Sequence, residues 1–131
     1  MIAADTSVIV AFLGGEDDTS VDAFDRALTN KCVVLPPVVL SELLSDPSIP
    51  QALVEMLLKI PLLPITPGFW ERAGRTRASL LGRKHKARLA DTLIAQACID
   101  SQVALITRDH DFRHFSRYCG LELVSASVRG S

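Results

Sequence analysis

Two acidic residues follow short apolar segments of the sequence. Asp5 comes directly after Ile2–Ala4, and Asp109 comes shortly after the apolar residues 103–106. Both segments are typical of buried strands, and in open α/β sheets the functional crevice lies outside the carboxyl ends of the strands. The sequence therefore predicts two carboxylates at one sheet edge, where they can bind a divalent cation. Taken singly, each residue is explained at least as well as a helix N-cap.

A third acid, Asp91, lies on the apolar side of a helix predicted for residues 88–101. The residues three, four and seven positions after it are Ile94, Ala95 and Cys98. An unpaired carboxylate among such neighbours would be costly or would take an elevated pKa. Asp91 must therefore be paired, bind a metal or cap its own helix, and the cap is the main alternative.

Glu42 is the least distinctive of the acids. It lies in a helix predicted for residues 37–44, and a helical wheel groups it with Ser41, Ser45 and Asp46. Periodicity alone favours a surface residue as much as a metal ligand. Only the set of acids as a whole makes Glu42 a candidate ligand.

The elements that must position these acids alternate between short apolar strands and longer helices. Strands are predicted at residues 2–4, 32–35, 62–65, 103–106 and 121–124, and helices at 7–13, 19–28, 37–44, 51–59, 67–81 and 88–101. Apolar strands separated by helices indicate a central, mainly parallel sheet covered on both faces, an α/β fold of the three-layer α/β/α sandwich type. No linker or repeat divides residues 1–131, so one domain is predicted.

The composition is that of an ordinary globular protein, with 48% hydrophobic and 22% charged residues among 131. The three cysteines are too few and too far apart for a disulfide framework or a zinc site, and we interpret them as reduced thiols. The apolar start of the chain is short and contains Asp5, so neither a signal peptide nor a membrane span is predicted. These features together predict a cytoplasmic protein.

Positive charge is concentrated in one segment. Between residues 71 and 88 lie seven of the fourteen basic residues but only one of the fifteen acids. The basic residues are Arg72, Arg75, Arg77, Arg83, Lys84, Lys86 and Arg88. This excess can attract the phosphates of a nucleic acid, although a solvated helix face explains it about equally well.

Taken in order and at their separations, these motifs resemble those of the PIN-domain ribonucleases, and most of all the VapC-type toxins of type II toxin–antitoxin pairs. The motifs concerned are Asp5-Thr6-Ser7, Glu42 in the helix after the second strand, Leu89-Ala90-Asp91-Thr92-Leu93-Ile94-Ala95 and Thr107-Arg108-Asp109-His110-Asp111-Phe112. Each is weak alone, but together they extend from Asp5 to the last predicted strand.

The resemblance implies a metal site formed by carboxylates and supported by hydroxyl groups. The implied ligands are Asp5, Glu42, Asp91 and Asp109, with Asp111 as a further or alternative acid, and the implied hydroxyl residues are Thr6 and Thr107. Carboxylates without His or Cys partners select Mg²⁺ or Mn²⁺ rather than zinc. The set is compatible with one ion or with two.

The implied activity is metal-dependent cleavage of RNA phosphodiester bonds, with the basic segment binding the RNA backbone. The implied partners are the RNA, a cognate antitoxin protein and a second copy in a homodimer. Two alternatives share the fold class: a catalytically silent RNA- or protein-binding module, and a phospho-acceptor receiver domain. The receiver is disfavoured because only Asp5 follows the first strand and no Lys follows the last.

If the basic segment binds an RNA backbone, affinity should fall steeply as salt is raised, because phosphate contacts release counterions. Fluorescence anisotropy with a labelled single-stranded RNA at low and moderate salt measures this dependence. An affinity that stays constant across that range would contradict the assignment.

Overall fold

Three parallel strands form the centre of the fold in the computed structural model, which describes residues 1–124. They are β1 (Ile2–Ala4), β2 (Val33–Val34) and β3 (Ala104–Ile106), in the order β2-β1-β3. In register, Ile2 lies opposite Val33 on one side and Ala104 on the other. The predicted parallel sheet is confirmed, while residues 125–131 of the predicted domain lie outside the described residues.

The strands predicted at 62–65 and 121–124 are wrong as full strands in the described part of the chain. Each is reduced to one parallel bridge, Leu35 to Leu62 at one edge and Leu105 to Leu123 at the other. Pro64 interrupts the first segment, since it lacks the N–H that a continuing ladder needs. The second segment pairs only around Leu105, whose N–H donates to the carbonyl of Glu122.

Helices flank the sheet, and their bounds agree closely with the sequence. They are α1 (Thr6–Leu13), α2 (Thr19–Thr29), α3 (Pro37–Leu44), α4 (Gln51–Leu58), α5 (Phe69–Gly82), α6 (Leu89–Ser101) and α7 (Arg113–Cys119). A 3₁₀ turn, His110–Phe112, leads into α7. Sequence reasoning missed α7, because that helix is short and polar and buries only Phe115. None of the helices described is long and apolar enough to cross a membrane.

The helices α5 and α6 run antiparallel and are joined by a polar network. The side-chain amide of Gln96, which is 4% exposed, accepts a hydrogen bond from Thr76 and donates one to Asp100. The guanidinium of Arg72 donates to both carboxylate oxygens of Asp100 and to the carbonyl of Pro67. Asp91 lies nine residues from Asp100 along α6, a distance of about 13 Å at 1.5 Å per residue. Arg72 therefore belongs to the end of α5 that is remote from Asp91.

We expect Arg72→Ala to lower the melting temperature by a few degrees, because it leaves the Asp100 carboxylate, only 11% exposed, without its cation. Arg75→Ala is the matched control, since Arg75 is exposed on the same helix and makes no ion pair within residues 1–124. Differential scanning calorimetry of both variants checks the prediction. Equal melting temperatures for the two would contradict it.

Candidate metal centre

Asp5 occupies the turn between β1 and α1 and has two structural tasks. It is the N-cap of α1, and its carboxylate accepts hydrogen bonds from the Val8 N–H (3.1 Å) and the Ser7 hydroxyl (2.7 Å). The Thr107 hydroxyl donates to the other carboxylate oxygen at 2.5 Å. Burial raises the pKa of Asp5, and these hydrogen bonds only partly offset that effect. The Asp5 side chain thus caps α1 and also places a carboxylate at the sheet edge.

Thr107 joins the ends of the neighbouring strands β1 and β3. While its hydroxyl donates to Asp5, its oxygen accepts a hydrogen bond from the Asp109 N–H at 2.9 Å. The Asp109 carboxylate in turn accepts from the Asp111 N–H at 2.9 Å. Ser7, which sequence reasoning did not single out, adds a parallel link, because its oxygen accepts from the Arg108 N–H. Short hydrogen bonds therefore orient the acids of both strand ends.

Three carboxylates, here called the acidic trio, converge beside these strand ends. One oxygen each from Asp91, Asp109 and Asp111 lies within 4.8 Å of the others. The pKa of Asp91 is raised to about 6 by burial and by the charges of Asp109, Glu42 and Asp111, although the charge of Arg88 lowers it. Like charges this close destabilise one another, and a bound cation would remove that repulsion.

Glu42 and Asp5 lie at the margin of the trio. Glu42 is exposed on α3, and its carboxylate accepts a hydrogen bond from the Thr6 hydroxyl at 2.6 Å. Its charge nevertheless contributes to the raised pKa of Asp91, and the charge of Asp109 acts in the same way on Asp5. All five acids singled out in the sequence therefore belong to one connected group, although only three are close enough to share a single ion as they stand.

The donor set of this group suits a hard divalent cation. Within residues 1–124, the grouped ligand atoms are all carboxylate oxygens. Cys98 is buried, and burial together with the charge of Asp5 raises the pKa of its thiol to about 12, so it remains protonated. Carboxylate-only sites of this kind favour Mg²⁺ or Mn²⁺ over zinc.

The basic segment is divided by the structure into two parts. At the remote end of α5, Arg72 is bound to Asp100, and further along the helix Arg77 donates to the carbonyl of Ala87. The second part is the loop of residues 83–88 between α5 and α6, here called the α5–α6 loop. Two of its side chains reach the acids: Lys86 pairs with Asp111 at 3.2 Å, and Arg88 lowers the pKa of Asp91.

A stack of rings fixes the α5–α6 loop against α7. The His85 ring lies 4.0 Å from that of His114 and 5.2 Å from that of Tyr118, nearly parallel to both. Arg83 covers the Tyr118 ring at 4.3 Å. Desolvation and the neighbouring charges of His85 and Arg113 lower the pKa of His114. The spacing of four between His114 and Tyr118, which places both on one face of α7, is the signal for this stack in the sequence.

A cleft of about 580 Å³ opens next to Asp109. Thr107, His110 and Arg113 line one side of it, and the first residues of α2 line another. Arg108 also borders the cleft, but its guanidinium is held by Glu16 and Asp18. The cleft therefore adjoins the acidic group and is bordered by the basic side chain of Arg113 and by the apolar side chains of Leu123 and Val124.

Asp91→Asn should stabilise the metal-free protein at neutral pH. The folded protein holds a proton on Asp91 up to a pH of about 6, whereas the unfolded chain releases it near 3.8. The free energy of unfolding contributed by this group therefore falls as the pH rises through that window. The substitution should add roughly 1–2 kcal/mol at neutral pH, less than the full shift implies because water screens a half-buried group.

Urea unfolding in EDTA at about pH 5 and about pH 7.5 tests this. The control is Asp25→Asn, which changes an exposed acid of α2. A difference between Asp91→Asn and the wild type that is the same at both pH values would refute the prediction.

Comparison with known proteins identifies the family. The PIN domain family model matches residues 2–118. No curated protein matches the sequence significantly. The fold is similar to that of VapBC2 from Rickettsia felis, solved bound to a DNA fragment from its promoter, with a TM-score of 0.72 and 20% identity over 95% of this chain and 98% of that chain.

It is also similar to VapBC-5 from Mycobacterium tuberculosis, a member of the VapBC family of toxin–antitoxin systems. The TM-score is 0.65, with 21% identity over 94% of this chain and 96% of that chain. At these identities the two structures support the fold, and the family model covers most of the sequence. The chain belongs to the PIN domain family.

Proposed function

We propose that this protein is a metal-dependent endoribonuclease and the toxin of a toxin–antitoxin pair. The observation that carries the proposal is the convergence of Asp91, Asp109 and Asp111 within 4.8 Å at the sheet edge, with Asp5 and Glu42 beside them. Membership of the PIN domain family supports nuclease activity as the use of such a group.

The residues that would hold the metal are the acidic trio, with Asp5 and Glu42 completing its surroundings. Their oxygen donors, their exposure to solvent at the sheet edge and the raised pKa of Asp91 fit Mg²⁺ or Mn²⁺. When bound, such an ion supplies Lewis acidity toward a phosphate oxygen and promotes ionisation of water. Thr107 keeps Asp5 and the Asp109 backbone in place while this group works.

The basic residues near the acids would bring the RNA to them. Lys86 and Arg88 lie on one side of the acids, and Arg113 lies on the cleft beside Asp109. A phosphodiester held between these groups has its flanking nucleotides over the α5–α6 loop and in the cleft. A groove at a sheet edge suits single-stranded or loop RNA, because side chains cannot read the deep groove of an A-form duplex.

The antitoxin and the homodimer are part of the same proposal. The structural neighbours come from VapBC systems, and one of them is described as a toxin–antitoxin member. A second groove begins at Thr6 and Glu42 and continues over apolar side chains of α1, α3 and the following residues, including Val10, Leu43 and Leu53. An antitoxin segment bound in this groove would reach the rim of the acidic group. We place this activity in the cytoplasm.

Purified protein should cut single-stranded RNA in Mn²⁺ or Mg²⁺ and leave it intact in EDTA. Asp91→Asn and Asp109→Asn should each reduce the rate by about 100-fold or more, because each removes one of the few carboxylates able to hold the ion. Gel analysis of an end-labelled RNA measures both effects. Asp25→Asn should keep the wild-type rate.

A protein that binds RNA but never cuts it, with either ion present, would overturn the nuclease proposal in favour of a silent binding module. Cleavage that survives both substitutions would overturn the assigned site. Growth arrest on expression of the protein, relieved by co-expression of a candidate antitoxin, would test the toxin part separately.

A further inference from the structure

We propose that Lys86 is a further active-site residue with two successive partners. In the metal-free protein its ammonium group is the internal counter-charge of the acidic trio. When a divalent cation binds, Lys86 is released and contacts the phosphate of the bound RNA. This inference rests on the proposed nuclease function and assigns to one residue a role distinct from general RNA binding by the basic segment.

The contact that carries the inference joins Lys86 to the trio itself. The Lys86 Nζ lies 3.2 Å from an oxygen of Asp111, whose carboxylate is within 4.8 Å of those of Asp91 and Asp109. Among the residues that the structure describes, no other basic side chain forms an ion pair with these three acids. The singly charged ammonium group of Lys86 therefore already lies at the edge of the position that a divalent cation would occupy.

The ion pair is exposed enough to exchange. The Lys86 side chain is 53% exposed and that of Asp111 is 29% exposed. Water screens such a pair, so breaking it costs little. A divalent cation beside the trio would attract the carboxylates more strongly than the lysine does and would repel the ammonium group. Lys86 then has no partner unless an anion arrives.

The backbone on both sides of Lys86 is held by other residues, while its side chain is held only by the exposed ion pair with Asp111. The preceding residue, His85, is held by its ring stack with His114 and Tyr118 and by the hydrogen bond from its N–H to the Leu80 carbonyl. The following residue, Ala87, is held through its carbonyl by Arg77. Lys86 can therefore move its ammonium group without the loop losing its place beside the acids.

An RNA phosphate that approaches the acidic trio needs a positively charged group such as the Lys86 ammonium beside it. Five carboxylates repel a phosphodiester, and one divalent ion offsets only two of those charges. An ammonium group within reach of the trio supplies attraction at the point where the substrate must come closest. His85 is on this view a positioning residue, because it acts by fixing the loop and not by touching the substrate.

Two measurements on Lys86→Gln should move in opposite directions. Its affinity for Mn²⁺ in the absence of RNA, measured by isothermal titration calorimetry, should rise about 3- to 10-fold, because a competing positive charge is gone. Its cleavage rate at saturating Mn²⁺ should fall about 10- to 100-fold, because the phosphate loses a charged partner. A merely structural defect would not tighten metal binding.

Lys59→Gln is the control, because Lys59 is exposed at the end of α4, outside the basic segment, and makes no ion pair in residues 1–124. It should leave both quantities near the wild-type values. Lys86→Arg keeps the charge and should retain Mn²⁺ affinity near the wild type with partial cleavage. His85→Phe preserves a planar ring for the stack and should cleave well, whereas His85→Ala should lose cleavage as Lys86→Gln does.

The outcomes separate the inference from the function on which it rests. If the wild type neither binds Mn²⁺ nor cuts RNA, the proposed function fails. If it does both and Lys86→Gln behaves like Lys59→Gln, the role of Lys86 is overturned while the nuclease stands. Weaker Mn²⁺ binding by Lys86→Gln would also overturn the role, because it would make Lys86 a support of the site and not a competitor. Equal cleavage by His85→Ala and His85→Phe would overturn the positioning role of His85.

Discussion

Repulsion among carboxylates is the constraint that the rest of this structure must offset. The chain holds Asp91, Asp109 and Asp111 close together, and Asp91 responds with a pKa raised to about 6. Such an arrangement opposes folding, so other interactions must maintain it. They are the hydrogen bonds of Thr107 and Ser7 at the strand ends, the packing of α6 against its neighbours and the partial neutralisation by Lys86. The rest of the fold therefore supplies the stability that the acidic trio opposes, and a bound cation would remove the repulsion among the three carboxylates.

The same side chains serve the backbone and the site. Asp5 caps α1 and also lies next to Asp109 at the sheet edge, and Asp109 caps the turn before α7 while its carboxylate joins the trio. Capping and metal binding were competing explanations for these acids at the level of sequence. They are compatible in space. Asp109 caps with one carboxylate oxygen and leaves the other available, and the Asp5 oxygen that is bonded to Thr107 still has a lone pair for a further ligand.

Much of the fold could be predicted because its signals are local. Strand β1 and helices α3 and α6 follow from apolar runs and proline positions that act within a few residues. The extents of the segments 62–65 and 121–124 could not, since their pairing depends on contacts with distant strands. Helix α7 could not, since it is short and buries only Phe115. In the site, the apolar neighbours of Asp91 indicated that it is a functional residue, whereas Glu42 is exposed and only the family pattern made it a candidate. Counting charges along the sequence does not distinguish Arg72 from Lys86. In the structure Arg72 pairs with Asp100, whereas Lys86 pairs with Asp111 of the acidic trio.

The bond between Thr107 and Asp5 joins residues 102 positions apart in the chain. No early fragment can therefore contain the site: a growing polypeptide carries Asp5 and Glu42 long before Asp109 has been made. Contacts of such long range form late, after the intervening chain has collapsed around them. For the proposed nuclease, this order of assembly means that the acidic group is incomplete until residues 107–111 have joined the folded chain.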